Sequence, residues 1–310
     1  MVSLLPKRIV SFLPSATELL YEFGVQEDLY GVTHECRFPH DAKTKPRIIN
    51  SVINSEKLTS NEIDIMTCQL LNDGKDIFTI DEKNLKKANP DLIISQKTCE
   101  VCAAYTNQVN KALQILQTKP ILHTMDPHNI QEIIQSVIEL GKILHRESKA
   151  REITESLERR VQNIKMKHNN EKAKVVTIEW IEPFFTAGHW IPEMIEIAGG
   201  INMISKTGEH SRRMDFQEVV EADPDIIIVM PCGFDRKRTI SEYNNILKGN
   251  EKWNSLKAVK NNQIFAVDAD SFFSKPSIRT IGGLEILAKI IQPDEFGNLQ
   301  VLEESFSQIA

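Results

Sequence analysis

The stretch RIVSFLPSATELLYEFGVQEDLYGVTHECRFP, residues 8–39, carries two apolar runs on either side of a helical pattern. The runs RIVSF at 8–12 and LYGVT at 29–33 predict buried strands. Between them, SATE at 15–18 has the spacing of a capping box, and Gly24 is a natural helix stop. A strand, a helix and a second strand in this order form the unit from which parallel sheets are built.

The same alternation continues along the rest of the chain. Further short runs rich in Val and Ile stand at 47–51, 91–95, 120–123, 174–180, 225–230 and 264–268. Short buried runs separated by helical patterns are typical of parallel sheets with helices on both faces. The expected fold class is therefore α/β, with two Rossmann-like lobes.

A long helical segment separates the two sets of strands. It runs from Asp126 to about His168 and is weakened at 144–147. Its second part lacks Gly and Pro and places Glu155 and Arg159 one helical turn apart. We expect a rigid helix that joins two lobes, and the alternative is one helix of an ordinary bundle. The expected division is an N-terminal lobe at 1–126, a linker helix region at 127–172 and a C-terminal lobe at 173–310.

Composition excludes some partners. The chain has 310 residues, of which 41% are hydrophobic and 26% charged, with a net charge of -6. Because its basic residues are scattered among acidic ones, no stripe for nucleic acid is formed. No run approaches the roughly 20 apolar residues that span a bilayer, and the first residues do not resemble a secretory leader. The cytoplasm is the expected location, and an extracytoplasmic one applies only if a leader was removed.

The expected ligand-binding residues lie in loops that follow predicted strands. Ligands of open parallel sheets collect beyond the carboxyl ends of the strands, because neighbouring loops diverge there. Aromatic rings in these loops suit a large planar ligand, although several of them can simply pack beneath the loops. The expected ligand-binding set is Pro14, Ser15, His34, Glu35, Cys36, Gln96, Lys97, Trp180, Phe184, His189, Trp190, Cys232, Gly233, Phe234, Phe272 and Phe273.

The five cysteines form an odd set, which points to thiols or metal ligands and not to a disulfide framework. Cys68 lies in a helical pattern among apolar residues and is expected to be a small buried hydrophobe. The other four are candidates for a zinc or iron–sulfur site. These are Cys36, Cys99, Cys102 and Cys232, with His34 or His189 as substitutes or as an axial ligand to a corrin or haem. The alternative is thiols that line a pocket without a metal.

Beside a ligand-binding protein and a metalloprotein, an enzyme is the third and weakest hypothesis. Glu35 or Glu182 would serve as a base, and Cys36 or Cys99 as a nucleophile. No P-loop, G-x-G-x-x-G or Ser-His-Asp arrangement stands in a fitting strand and helix context. We therefore assign no catalytic residue and expect a binding protein.

Five stretches resemble one known family. They are the opening stretch at 8–39 together with KKANPDLIISQKTCEVCA at 86–103, TAGHWIPEMIEIAGGINMI at 186–204, EADPDIIIVMPCGFD at 221–235 and FAVDADSFFSKPSIRTIGGLEILAKII at 265–291. Together they resemble the vitamin B12 binding proteins of the class III substrate-binding family, in particular a leaderless branch with His-Glu-Cys after the second strand.

The resemblance implies a function for the cleft between the lobes. Cobalamin or a related corrinoid would be held there by His34–Cys36, Gln96–Cys102, Trp180–Trp190 and Cys232–Phe234. An ABC-type permease is a candidate partner, with Glu56 and Glu209 as candidate docking carboxylates. We expect the chain to depart from transporter-associated members in having no leader or lipid anchor, and it presents Gln96 where those members can present a tryptophan.

Overall fold

The computed structural model describes residues 5–96, 103–116, 118–167 and 171–309. The chain forms two compact units. Unit 1 contains Met1–Lys57, Ile65–Pro127 and Gln131–Ser156, and unit 2 contains Leu58–Asp64, His128–Ile130 and Leu157–Ala310. Unit 2 thus includes two short segments from the first half of the chain. The lobe boundaries expected at 126 and 173 stay a prediction.

Unit 1 is built on a six-stranded sheet. Its strands are β1 (Ile9–Ser11), β2 (Leu29–Thr33), β3 (Arg47–Ser51), β4 (Phe78–Ile80), β5 (Leu92–Gln96) and β6 (Ile121–Met125). They stand in the order β4-β3-β2-β1-β5-β6. All neighbours are parallel except β4, which pairs antiparallel with β3. The chain therefore extends the sheet from β1 first in one direction and then, from β5, in the other.

The helices of unit 1 connect and cover these strands. They are α1 (Pro14–Glu22), α2 (Ser60–Asn72), α3 (Glu82–Ala88), α4 (Ala103–Ile115) and α5 (Ile130–Ile143), and the first turns of α2 and α5 group with unit 2. Short 3₁₀ turns stand at Gln26–Asp28, His40–Thr44 and Ser55–Lys57. Val10, Phe12, Ile48, Ile93 and Ala112 are among the fully buried side chains that form the core.

One helix, α6 (Glu147–Lys165), runs from unit 1 into unit 2. The break predicted between two helical parts is confirmed, because α5 ends at Ile143. At the break His145 has a left-handed φ of 50°, and the Arg146 amide donates to the Gly141 carbonyl at 2.7 Å. This hydrogen bond satisfies a carbonyl that the end of α5 would otherwise leave open.

Unit 2 contains the second sheet. Its strands are β7 (Lys174–Trp180), β8 (Phe185–Thr186), β9 (Ile201–Asn202), β10 (Ile226–Val229), β11 (Ile264–Val267) and β12 (Phe306–Gln308). The order is β12-β11-β10-β7-β8, and β9 also pairs with β7. The pairs β7·β10, β10·β11 and β7·β9 are parallel, whereas β8 and β12 are antiparallel to their neighbours.

Among the described residues, eight further helices complete unit 2. They are α7 (Ile191–Ile197), α8 (Phe216–Ala222), α9 (Arg236–Ile246), α10 (Glu251–Asn254), α11 (Lys257–Lys260), α12 (Ala269–Phe272), α13 (Thr280–Ile291) and α14 (Pro293–Phe296), with a 3₁₀ turn at Glu303–Ser305. Val176, Ile178, Ile227, Val229 and Trp253 are among the core side chains. Arg160 on α6 forms two hydrogen bonds with Glu285 on α13, at 2.7 and 2.8 Å.

The α/β fold class is confirmed, with three corrections. Strands β4, β8 and β12 are antiparallel, so the sheets are mixed. The expected capping box at 15–18 is wrong, because α1 begins at Pro14 after an extended Leu13 and has no side-chain cap. Cys68 is half-buried, not a fully buried hydrophobe, since the exposed side of α2 carries Ile65 and Leu71.

Candidate ligand-binding site

In each sheet, the chain first adds strands on one side of the first strand and then adds the next strands on its other side. In unit 1 this change of side lies between β1 and β5, and in unit 2 between β7 and β10. Loops diverge at such points and leave room for a ligand. Pro14 and Ser15 begin the helix that follows β1, Trp180 ends β7, and Cys232 lies in the loop after β10. The structure therefore places these predicted site residues at the edges where ligands of open α/β sheets bind.

The turn after β2 holds Cys36 inside unit 1. Its side chain is 3% exposed, and its Sγ lies 3.1 Å from Thr17 Oγ1 and 3.4 Å from Thr33 Oγ1. Burial raises the pKa of the Cys36 thiol, which keeps it protonated and disfavours metal binding. The adjacent Glu35 is half-buried. Cys36 therefore stabilises the turn by its hydrogen bonds to two threonines.

His34 is held against the sheet of unit 1. Its Nδ1 lies 3.4 Å from the Ile49 carbonyl oxygen, and its ring centroid is 5.8 Å from that of Phe78. Burial lowers the pKa of this half-buried imidazole, so it is neutral over a wider range of pH.

Other predicted residues of unit 1 differ in accessibility. Pro14 and Ser15 are buried at the start of α1, whereas Gln96 at the end of β5 is half-buried. Lys97, Cys99 and Cys102 lie outside the described residues. The predicted roles of these residues stay predictions.

The edge of unit 2 is formed by an aromatic pair. Trp180 is half-buried, and its ring meets that of Phe234 edge to face at 5.3 Å. Its Nε1 donates to the Ser60 carbonyl at 3.1 Å, within the Leu58–Asp64 segment of unit 2. The guanidinium of Arg238 lies over the ring of Phe234, 3.6 Å from the ring centroid. Trp180 is thus held in a fixed orientation by a ring contact and a hydrogen bond.

The loop after β10 exposes a thiol. Cys232 is exposed, and its backbone amide donates to the Glu179 carbonyl at 3.0 Å. The next residue, Gly233, has a φ of 75° and donates its amide to Ser274 Oγ at 2.9 Å. The glycine permits this left-handed turn, because it has no Cβ to clash with the backbone.

Most of the other predicted aromatic residues pack inside unit 2. Trp190, Phe272 and Phe273 are 4%, 9% and 3% exposed, and Trp190 Nε1 donates to the Phe273 carbonyl at 3.2 Å. Phe234 is 2% exposed. These rings support the loops, and their direct contact with a ligand stays a prediction. The half-buried Phe184 stacks on Trp253 at 6.1 Å.

Phe184 also lines a groove on unit 2. Its volume is about 330 Å³, and its apolar lining includes Ile181, Phe216 and Trp253. The stacking of Phe184 between Phe216 and Trp253 fixes this lining. Neither Trp180 nor Cys232 is among the described residues that line this groove.

Two segments of unit 2 are joined along their backbones. The Thr186 amide donates to the Arg212 carbonyl at 2.9 Å, and the His189 amide donates to the Glu209 carbonyl at 2.7 Å. In the other direction the Gly208 amide donates to the His189 carbonyl at 2.9 Å. We call residues 184–190 and 206–214, which these bonds connect, the paired loops. They bring together residues about 20 positions apart in sequence.

The paired loops bring His189 and His210 together, and His128, which follows β6, contacts both. The ring centroids of His189 and His210 are 5.2 Å apart, and His128 lies 5.8 Å from His189 and 5.9 Å from His210. We call His128, His189 and His210 the histidine cluster. His189 belongs to the predicted set, whereas His128 and His210 were missed. His128 follows β6 closely enough for the strand-end rule to have found it, but no local signal marks His210, because its position depends on the paired loops.

A carboxyl group anchors the same region to the sheet. Glu179 near the end of β7 accepts a hydrogen bond from Ser211 Oγ at 2.7 Å, and the Gly188 amide donates to Ser211 Oγ at 3.2 Å. Burial raises the pKa of the Glu179 carboxyl, and the hydrogen bonds from Ser211 and Gly188 oppose the rise. This network fixes Gly188 and Ser211, the neighbours of two clustered histidines.

The predicted cysteine metal site has no counterpart in the described part of the chain. There, no three His, Cys, Asp or Glu side chains are arranged to hold a metal ion. Of the four predicted ligands, Cys36 is buried in unit 1 and Cys232 is exposed in unit 2, while Cys99 and Cys102 lie outside the described residues.

None of the helices in the described ranges combines the length and the apolar composition that a membrane-spanning helix needs.

Comparisons with known proteins identify relatives of this chain. It is 22% identical to the uncharacterized ABC transporter substrate-binding lipoprotein YvrC of Bacillus subtilis over 94% of this chain and 82% of that protein. It is 21% identical to the vitamin B12-binding protein of Vibrio cholerae over 90% of this chain and 87% of that protein.

Solved structures share the fold. The periplasmic vitamin B12 binding protein BtuF of Vibrio cholerae has a TM-score of 0.64 at 20% identity, over 95% of this chain and 99% of that chain. Staphylococcus aureus IsdE complexed with heme has a TM-score of 0.69 at 19% identity, over 92% and 98%. The family model described as "Periplasmic binding protein" matches residues 9–271. By fold and by sequence, the chain belongs to the periplasmic binding protein family.

Proposed function

We propose that this chain is a solute-binding protein for cobalamin, a related corrinoid or another metal tetrapyrrole. The observation that carries the proposal is the hydrogen bond from Ser211 to Glu179 within unit 2, because it joins the neighbour of His210 in the histidine cluster to the neighbour of the oriented Trp180. An aromatic face suits a planar macrocycle, and imidazole is a usual ligand of its metal.

The relatives support this class of ligand. One is named as a vitamin B12-binding protein and another was solved in complex with heme. Both ligands are large tetrapyrroles with a central transition metal. The ligand proposed for this chain is defined by this shared chemistry, and binding experiments with cobalt and iron tetrapyrroles distinguish the two metals.

The proposed partner is an ABC-type permease, as the name of the Bacillus subtilis relative suggests. Glu56 and Glu209 are both exposed, which agrees with their proposed role as docking carboxylates. The cytoplasmic location expected from the sequence stays a prediction, which fractionation of the source cells tests.

The test is direct binding of coloured ligands. Purified protein is mixed with aquocobalamin, cyanocobalamin or haemin at micromolar concentration and passed over a gel-filtration column. We expect at least one tetrapyrrole to elute with the protein and to show a shifted absorption spectrum. If all three elute separately from protein that is folded by circular dichroism, the proposed function is wrong.

A further inference from the structure

The three imidazoles of the histidine cluster differ in exposure. His210 is exposed, His128 is half-buried and His189 is 9% exposed. A residue that is to contact a ligand needs accessible surface. Of the three, His210 therefore has the most surface to offer a bound molecule.

The two other rings fix the orientation of His210. The ring of His210 stands at 86° to that of His128 and at 83° to that of His189. Edge-to-face contacts on two sides restrict rotation of the imidazole. Its side chain consequently loses less conformational entropy on binding than an isolated surface histidine would.

The backbone of His210 is also fixed. Glu209 and Ser211, its two neighbours in sequence, are both bonded to other parts of unit 2. The Glu209 carbonyl accepts the His189 amide at 2.7 Å, and its carboxylate accepts the Lys206 amide at 3.1 Å. Ser211 Oγ donates to Glu179 at 2.7 Å. The imidazole is thus presented from a segment held on both sides, as a metal ligand requires.

We infer that His210 is the protein ligand to the metal of the bound tetrapyrrole. The inference rests on the proposed function and deepens it. A ring nitrogen of His210 donates its lone pair to the metal and a metal–nitrogen bond forms. The exchangeable ligand on that face, which is water in aquocobalamin and water or hydroxide in dissolved haemin, leaves as its metal–oxygen bond breaks. The oxidation state of the metal does not change. A single axial bond of this kind needs one accessible imidazole, not three converging ligands.

This assignment defines the class of ligand. The metal must carry an exchangeable ligand on one face, as in haemin and aquocobalamin. Cyanocobalamin, whose upper position is held by cyanide, presents no exchangeable site there. The protein should therefore bind the first two more tightly than the third.

The test measures affinity and absorption spectrum together. Wild-type protein, His210→Ala and the control His40→Ala, an exposed histidine in unit 1, are titrated with haemin, aquocobalamin and cyanocobalamin. Removal of outer hydrogen bonds to metal ligands costs about 10- to 100-fold in affinity, so loss of the ligand itself should weaken binding by at least about tenfold. With haemin and aquocobalamin, we expect the spectrum of a metal whose exchangeable face is ligated by imidazole in wild type and His40→Ala, and that of a metal whose exchangeable face is still ligated by water in His210→Ala. Free imidazole should restore the first spectrum to His210→Ala.

Each remaining outcome overturns a stated part of the account. If His210→Ala binds haemin or aquocobalamin with the wild-type spectrum, the assignment of His210 is wrong and the proposed function stands. If wild type binds cyanocobalamin as tightly as aquocobalamin and leaves both absorption spectra unchanged, the conclusion is the same. If no tetrapyrrole binds to the wild type, both proposals fail.

Discussion

Replacing Gly188 by alanine should break the paired loops. A Cβ at this position would lie 2.4 Å from the Glu209 carbonyl oxygen, 2.6 Å from the Ser211 amide nitrogen and 2.8 Å from the His210 carbonyl carbon. Ordinary contacts of carbon are about 3.5 Å. Because all three neighbours are backbone atoms, the two loops must move apart by about 1 Å.

That movement lowers the free energy of unfolding of unit 2. Overpacking of a well-packed site costs roughly 1–3 kcal/mol. The separation also strains the hydrogen bonds from the His189 amide to Glu209 and from the Gly188 amide to Ser211, each worth about 1 kcal/mol net. We expect Gly188→Ala to lower the free energy of unfolding of unit 2 by about 2–4 kcal/mol.

Tryptophan fluorescence in urea measures this change selectively. The chain has 3 tryptophans, namely Trp180, Trp190 and Trp253, and all belong to unit 2. The matched control is Gly249→Ala, where an added Cβ meets no atom within 4 Å. An unfolding midpoint of Gly188→Ala that coincides with those of wild type and the control would refute the close approach of the loops.

Three further predictions concern groups near the proposed site. Glu179→Gln should gain stability relative to wild type as pH rises from 4.5, the ordinary pKa, toward neutrality. Burial raises the pKa of the Glu179 carboxyl in the folded state, so wild type loses stability as pH rises over that range. If the free energies of unfolding of wild type and Glu179→Gln changed in parallel with pH, this prediction would be contradicted. In native protein, Cys232 should react with a thiol reagent much faster than Cys36, which is buried and has a raised pKa; equal rates by peptide mapping would refute it. Trp180→Phe should cost about 1 kcal/mol in urea unfolding by circular dichroism, because its hydrogen bond to Ser60 is lost; no change would exclude that bond.

Much of the fold could be predicted from the sequence because buried parallel strands are local features. The expected strands at 29–33, 47–51 and 174–180 match β2, β3 and β7 in both bounds. Strands β8 and β9 have two residues each and were missed. They exist through pairing with β7 and have too few residues for a pattern.

The start of α1 was predicted less well for a physical reason. Ser15 has the right neighbours for a cap, yet Pro14 already has the fixed φ of a first helical residue and begins the helix before it. Local propensity at one position was thus overridden by its neighbour.

The site could be predicted only in part, because its geometry depends on long-range pairing. Trp180 and Cys232 follow from the strand-end rule. The rings of His210 and His189 are brought together by hydrogen bonds between the paired loops. The sequence around residue 210 contains no local pattern that predicts this contact. Cys36 shows the reverse case, since its sequence pattern indicates a metal ligand whereas its thiol is buried and contacts Thr17; its predicted role stays a prediction.

The central claim is that this fold, with its oriented tryptophan and histidine cluster, binds a metal tetrapyrrole. The most direct measurement is an absorbance titration of the purified chain with aquocobalamin and with haemin. The account predicts a saturable spectral change at one ligand per chain for at least one of them. A folded protein that leaves both spectra unchanged at micromolar concentration would contradict it.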